Sequence, residues 1–311
     1  MELFLSTMSQ MAYLFTFIFL GFVLAKCKVL GEDSAKLLSK LENNLLIPAM
    51  VLNTFLQRFT VETLSTMRKV ILYSIVVMLL SIPFALLFGK ILSKDGYMQK
   101  VHTFGLSFSN FAFMGYAVVK VLFPDIYFEY VIFTLVLWAG VYVWGMPELL
   151  IAEEGKKTLS QRLKSFLNPI FVCMILGMVL GLLNVSKYIP QWSMNVLADA
   201  EKCMAPFAML LTGITLAFVD LKHIFSDKSI YFASLLRLIV FPAAFLALAK
   251  IFHFDSGVGF LCSLCSLAMP MSLSSIVIPA AYGKDTSLAA GMVLVSHLLS
   301  CITIPILFMF V

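Results

Sequence analysis

Ten apolar runs, each near the length of a membrane span and separated by short polar loops, leave this chain few possible folds. They cover roughly residues 11–27, 38–56, 70–92, 101–123, 127–151, 167–185, 196–219, 230–252, 257–281 and 287–311. A span takes about 20 mainly apolar residues, so 311 residues hold ten spans and no soluble domain of useful size. The chain is 61% hydrophobic and 13% charged, against about 45–50% apolar in a soluble domain. Lipid offers the backbone no hydrogen bonds, which leaves helices and closed barrels as spanning structures. Runs of this length are helical, and the expectation is an all-α polytopic membrane protein. The first run lacks a basic leader or a small-residue cleavage site and reads as a retained span.

Lysine and arginine set the orientation. With the N-terminus outside, fourteen fall in cytoplasmic loops, including Lys156, Lys157, Arg162, Lys164 and Lys222, and seven fall outside. Both termini are therefore expected to be extracytoplasmic, in a plasma (inner) membrane. The net charge of +5 is spread through these loops, which speaks for membrane topology and against nucleic acid.

One run is interrupted. Ser266–Asp285, SLAMPMSLSSIVIPAAYGKD, carries Pro270 and Pro279 and a hydroxyl cluster at Ser272, Ser274 and Ser275. A proline inside a helix removes a hydrogen bond and clashes with the preceding turn, so a broken helix is expected. In a bilayer such a break is tolerated where it is buried in protein or lines a cavity, as at transporter substrate sites. The halves of the chain also repeat. Gly21-Phe22-Val23-Leu24 with Pro48 and Thr54 is echoed by Gly177-Met178-Val179-Leu180 with Pro206 and Thr212. Pro83 and Lys90 match Pro242 and Lys250, and Asp125 with Pro147 matches Asp285 with Pro305. Five spans being odd, the second copy enters from the opposite face. The expected division is a first five-helix repeat at 1–151, a cytoplasmic linker at 152–166 and a second, inverted repeat at 167–311. The fourth span is then the partner of the ninth, with Ser107, Ser109 and Asn110 between Gly105 and Gly115. Crossing half-helices would present positive dipole ends and exposed peptide groups to an anion.

Candidate site residues are Ser109, Asn110, Gly115, Pro270, Met271, Ser272 and Ser274. Each has a plainer reading: Asn110 as a bond between helices, the serines as bonded to their own helix carbonyls. Asn43, Asn44 and Asn53 interrupt the second span, as Thr212, Gly213 and Thr215 do the seventh, and line a cavity or lie at the interface. Arg237 falls near mid-bilayer, and an intramembrane arginine points to an anionic substrate or a carboxylate; the rivals are snorkelling or an ion pair with Glu201 or Asp199. His297 carries protons during transport or is a packing histidine. Cys262 and Cys265 form a CxxC without further metal-ligand partners and read as small packing residues. There is no HExxH, GxSxG or phosphate-binding glycine loop, so enzymatic chemistry, metal and cofactors are not expected.

SNFAFMGYA at 109–117, MPMSLSSIVIPAAYGKD at 269–285, NNLLIPAMVLNTF at 43–55 and LNPIFVCMILGMVLGLL at 167–183 together resemble the auxin efflux carrier family. That family includes plant PIN-type carriers and bacterial transporters of about this length, and the resemblance covers essentially the whole chain. It implies a ten-span, inverted-repeat, elevator-type carrier, akin to bile-acid symporters and sodium/proton antiporters, with helices four and nine broken and crossing. The implied substrate is a small organic anion, a dicarboxylate or an auxin-like monocarboxylate; the alternative is a passive anion channel or potential-driven uniporter. The family asparagine of helix four falls on Asn110 and the helix-nine crossover proline on Pro270. The chain departs from the family at Tyr116 and Ala117, where a proline is usual, leaving Gly115 as the flexible point. A homodimer through the scaffold of spans one, two, six and seven completes what it implies; the sequence leaves a proton or sodium coupling ion, or the membrane potential alone, open as the driving force.

Overall fold

The computed structural model describes residues 2–151, 168–218, 226–254 and 257–309. The expected linker at 152–166, with its lysines and arginine, and Lys222 lie outside the described residues. Fourteen α-helices are described: α1 (Glu2–Lys26), α2 (Glu32–Leu41), α3 (Ile47–Arg58), α4 (Leu64–Leu92), α5 (Gly96–Ser107), α6 (Gly115–Leu122) and α7 (Tyr127–Gly140) in the first half. The second half holds α8 (Pro169–Leu182), α9 (Gln191–Ala217), α10 (Lys228–Leu235), α11 (Phe241–Ile251), α12 (Val258–Ala268), α13 (Ser274–Ala281) and α14 (Ser287–Phe308). Among the described residues there is no strand, only one antiparallel bridge, Ser109 with Met271. Five continuous helical stretches are long and apolar enough to cross a bilayer: Phe4–Lys26, Thr66–Leu92, Pro124–Ile151, Lys228–Ile251 and Ser287–Phe308. Shorter apolar helices, Pro169–Leu182 and Val258–Ala268, accompany them.

Prolines explain why several runs are not single α-helices. Wide, π-type turns at Glu42–Leu46, Val141–Ile151 and Leu236–Val240 sit at Pro48, Pro147 and Pro242. Proline crowds the carbonyl four residues back and cannot donate to it. Here the residue before each of two prolines reaches five residues back instead: Ile47 N–H bonds the Glu42 carbonyl, and Phe241 N–H bonds that of Leu236. The helix continues without leaving the interruption to lipid.

Packing sorts the helices into two groups. α1 lies along α9 and α3 along α8, while α9 also packs on α2 and α3. The second group joins α4, α5, α7 and α12, with α14 on α10 and α5. The groups meet where α1 touches α6 and α14, and where α3 touches α7. The closest approach is between α1 and α9, where backbone meets backbone. A Cβ on Gly213 would fall on the Ile18 carbonyl, and one on Gly21 on the Leu210 carbonyl. Small residues let membrane helices gain dispersion contact that lipid does not replace.

Gly213→Leu is therefore expected to lower stability in detergent by more than the roughly 1–3 kcal/mol usual for overpacking, because rigid backbone blocks the side chain. Gly31→Ala, which meets open space, is the control. A thermal-unfolding comparison in which both variants melt with wild type would refute this account of the α1–α9 contact.

Candidate functional site

The two interrupted helices meet at their breaks. α5 ends at Ser107, the chain extends through Phe108 (φ −118°, ψ 117°), and α6 starts at Gly115. Likewise α12 ends at Ala268, Met269 is extended (φ −70°, ψ 144°), and α13 starts at Ser274. The freed peptide groups bond across the crossing. Asn110 N–H donates to the Pro270 carbonyl at 2.7 Å, Ser272 N–H to the Phe108 carbonyl at 3.4 Å, and Met271 N–H to Ser296 Oγ at 3.2 Å. The break ends at Gly115 although Ala117 stands where a proline was looked for. A Cβ on Gly115 would overlap Tyr130 Oη, whose hydroxyl donates to the Phe111 carbonyl at 3.1 Å. The space that a side chain at position 115 would need is thus taken by Tyr130, which bonds the backbone inside the break.

The exposed peptide groups expected at the half-helix starts are not free. Gly115 N–H bonds the Asn110 carbonyl at 2.9 Å, Ser274 N–H bonds Ser272 Oγ at 3.2 Å, and Ser275 N–H bonds the Ser272 carbonyl at 3.1 Å. Ser275 Oγ donates to that same carbonyl at 2.7 Å. Such groups need partners in a bilayer whether or not a ligand is present. The dipole ends still point at the crossing. Of the candidate residues, Ser272 acts as a cap, while Pro270 and Met271 contribute backbone to the crossing.

Arg237 differs from each alternative raised for it. Its guanidinium, 1% exposed, donates from Nη1 to the Leu106 carbonyl at 3.1 Å, from Nη2 to Ser266 at 3.3 Å and from Nε to Met269 at 3.4 Å. It therefore caps the carbonyl ends of both first half-helices, α5 and α12, with Phe241 packed on its face at 5.6 Å. A cation at two negative dipole ends, with a planar fork of donors, suits this place. Glu201 pairs elsewhere, and Asp199 pairs with Lys202 at 2.9 Å.

Beside the crossing, Ser107 Oγ, Ser109 Oγ and Asn110 Oδ1 are buried without a hydrogen-bond partner among the described residues. Buried polar atoms are rarely left so, and three within four residues mark a place for a polar guest. Asn110 Nδ2 lies 3.0 Å from His297 Nε2, and His297 Nδ1 lies 2.8 Å from the Val293 carbonyl. A carbonyl only accepts, so Nδ1 carries the proton, Nε2 offers its lone pair, and the Asn110 amide donates to it. His297 also forms part of the wall of a cleft of about 280 Å³ between α1, α9 and α14, otherwise lined by apolar side chains such as Phe15, Ile18, Phe22 and Leu216.

The second-span asparagines fall outside this centre. Asn43 and Asn44 donate back to the Ser39 and Lys40 carbonyls, each at 2.8 Å, so their polarity is absorbed within their own helix. Asn53 donates to Glu201 Oε2 at 2.7 Å, and Lys120 at the end of α6 binds Glu201 Oε1 at 2.5 Å. That carboxylate joins the two helix groups on the side of the membrane where α1 begins. Lys120 is 81 residues from Glu201 in sequence, and nothing in their local patterns paired them.

The membrane transport protein family model matches residues 6–162 and 156–308. The chain belongs to that family. It is also 23% identical over 293 residues, 93% of each chain, to an uncharacterized transporter of Methanothermobacter thermautotrophicus. It is thus a multi-pass membrane transporter and not an enzyme. One residue of this transporter went unread in the sequence. Glu42, in the wide turn before α3, is 0% exposed, and neither carboxyl oxygen has a partner among the described residues. Such a group is far less costly to bury as a neutral acid than as a carboxylate.

Removing the Arg237 fork would leave carbonyls from two helices unpaired, at roughly 1–3 kcal/mol each. Arg237→Met is expected to destabilise the detergent-solubilised protein by about 3 kcal/mol or more, and Arg237→Lys to recover only part of that loss because one ammonium lacks the fork. A denaturation series placing either variant level with wild type would show that the cap is dispensable.

Proposed function

We propose that this transporter is a secondary carrier for a small organic anion, working by elevator-type alternating access, in line with the motifs that resemble auxin efflux carriers of bacterial type. On this reading the chain makes ten spans in a plasma membrane, as inverted five-helix repeats at 1–151 and 167–311 joined by a cytoplasmic linker at 152–166, with both termini extracytoplasmic. The antiparallel meeting of two interrupted helices beside three unpartnered buried polar atoms carries the proposal. Their halves are alike in length, 12 and 8 residues against 11 and 8, which favours a repeated unit. The substrate carboxylate is received by Ser109 and Asn110 at the crossing, with the positive ends of α6 and α13 behind them.

The cleft favours one substrate class over the other. An enclosed cavity of about 150 Å³ takes one benzene ring; the cleft of about 280 Å³, which opens outward past exposed Phe19 and Leu298, has room for an aromatic body. Its apolar walls suit the body of an aromatic monocarboxylate and offer no partner to the second charge of a dicarboxylate. α1, α2, α3, α8 and α9 form the scaffold, and the group with the crossing slides against it. The bond from Lys120 to Glu201 spans these bodies and must open in each cycle. Such a carrier dimerises through its scaffold.

Asn110→Ala is expected to abolish carboxylate binding while the protein stays monodisperse and folded in detergent; unchanged affinity in a titration would remove Asn110 from the site. Lys120→Cys with Glu201→Cys, joined in proteoliposomes by a bis-methanethiosulfonate linker about as long as the side chains replaced, is expected to stop uptake of indole-3-acetate and counterflow, and reduction to restore both. Uptake that continues through the cross-linked protein would favour a passive anion channel or uniporter.

A further inference from the structure

We propose that His297 is the site of a co-transported proton, and that protonating it turns over the Asn110 side-chain amide so that the crossing accepts a carboxylate and a proton together. This rests on the reading that a carboxylate binds at Asn110. As the side chains stand, Asn110 presents its unpartnered oxygen to the site, because its Nδ2 is turned to the lone pair of His297 Nε2. An anion arriving there meets an acceptor, and two acceptors repel. When a proton from water binds the Nε2 lone pair, both imidazole nitrogens donate. Nδ1–H keeps the Val293 carbonyl, but Nε2–H now opposes the amide N–H. The contact is restored when the amide turns through about 180° about its last side-chain torsion, a broad and nearly two-fold rotation. The Nδ2–H to Nε2 bond breaks, an Nε2–H to Oδ1 bond forms, and the NH₂ group faces the site with two donors for the carboxylate.

The surroundings make the two ligands depend on each other. α14 packs against α1, α5, α9, α10, α12, α13 and the wide turn at Leu236–Val240. From α1 and α9 the side chains around His297 are apolar. The carboxylates of α9 are Asp199 and Glu201, paired with Lys202 and Lys120, and Glu201 is fifteen residues from Leu216 along the helix, about 22 Å. Tyr13 and Lys26 of α1, Lys100 of α5, and Lys228 and Tyr231 of α10 are exposed, and Tyr97 of α5 lies at half-depth. His102, Cys262 and Cys265 are buried, Cys203 of α9 is exposed, α13 has no ionisable side chain, and Arg237 is held by three carbonyls. No described carboxylate is positioned to balance an imidazolium at His297, so its natural counter-charge is the substrate. A buried charge without a partner is costly. Each ligand therefore strengthens the other, and linkage makes that effect reciprocal.

The test uses the full-length protein in detergent, with indole-3-acetate and 2-naphthoate as two-ring probes and malonate for comparison. Calorimetry in buffers of differing ionisation enthalpy counts protons. Wild type is expected to take up about one proton per carboxylate and to lose about tenfold in affinity per pH unit rise above neutrality. His297→Gln, which keeps a neutral bond to Asn110, is expected to bind with no proton uptake and no pH slope, while Glu42→Gln behaves as wild type. Should His297→Gln fail to fold, ¹⁵N spectra of histidine-labelled wild type give the answer: one imidazole gains a second N–H when probe is added. Carboxylate binding without proton uptake, proton uptake that survives His297→Gln, or its loss in Glu42→Gln instead, overturns the proton site and leaves the anion carrier standing. No binding of any probe to wild type at any pH from 5.5 to 8 overturns both.

Discussion

The Arg237 guanidinium and the peptide groups it serves bear most of the cost of having an interrupted helix inside a bilayer. Two helices that stop midway leave carbonyls at their ends, and lipid supplies no donors. Eight backbone groups at this crossing find partners in one another, in Ser296 or in Arg237. A neutral donor could satisfy one carbonyl. A fork of donors reaches both helices and also carries the charge that two negative dipole ends favour. The cation thus serves the backbone of the crossing, while Ser107, Ser109 and Asn110 keep buried polar atoms without a partner among the described residues.

This division of labour bears on the proposed motion. Because α5 and α12 are tied through one side chain, and α6 and α13 follow them through cross-bonded peptide groups, the crossing is suited to move as a unit. Contacts to the other helix group are of a different kind. Among the described residues they are mostly apolar along α1, with one hydrogen bond from Gln10 to the Ala117 carbonyl at 3.4 Å and one charged bond from Lys120 to Glu201 near the end of α6. Apolar surfaces can slide with little directional penalty, whereas opening the Lys120–Glu201 pair, whose glutamate side chain is 8% exposed, uncovers a buried charge. On the proposed motion, the apolar faces slide freely and this pair is the main directional contact that has to open.

Much of this was legible because proline, glycine and hydroxyl residues interrupt apolar runs for few reasons. Pro270 and the serines after it marked the second break, and the expected repeat pointed from there to Ser109 and Asn110. The partners of Arg237 were not legible, since a side chain that caps backbone carbonyls has no complementary residue to find. Asn43 and Asn44 left two readings open because a polar side chain that bonds four residues back looks, in sequence, like one lining a cavity. Glu42 carries no pattern that would single it out. The wide turns were signalled only by their prolines, because the π-type turn is a response to proline and not a pattern of its own.

Arg237 and Glu42 are the sharpest contrast in the molecule. Both sit in wide turns just ahead of a proline, and both are fully enclosed. Arg237 has three carbonyls and an aromatic face; Glu42 has no partner on either oxygen among the described residues. A charge survives burial only with partners, so the arginine is compatible with remaining charged and the glutamate with being neutral. At the crossing Arg237 offsets the negative ends of α5 and α12, while the starts of α6 and α13 add positive ends. On the proposed reading, a field of that sign favours an anion although no cation touches its carboxylate. The proposed substrate then meets hydroxyl and amide groups, whose bonds can be exchanged as it enters and leaves, without a direct ion pair that would hold it too tightly to release.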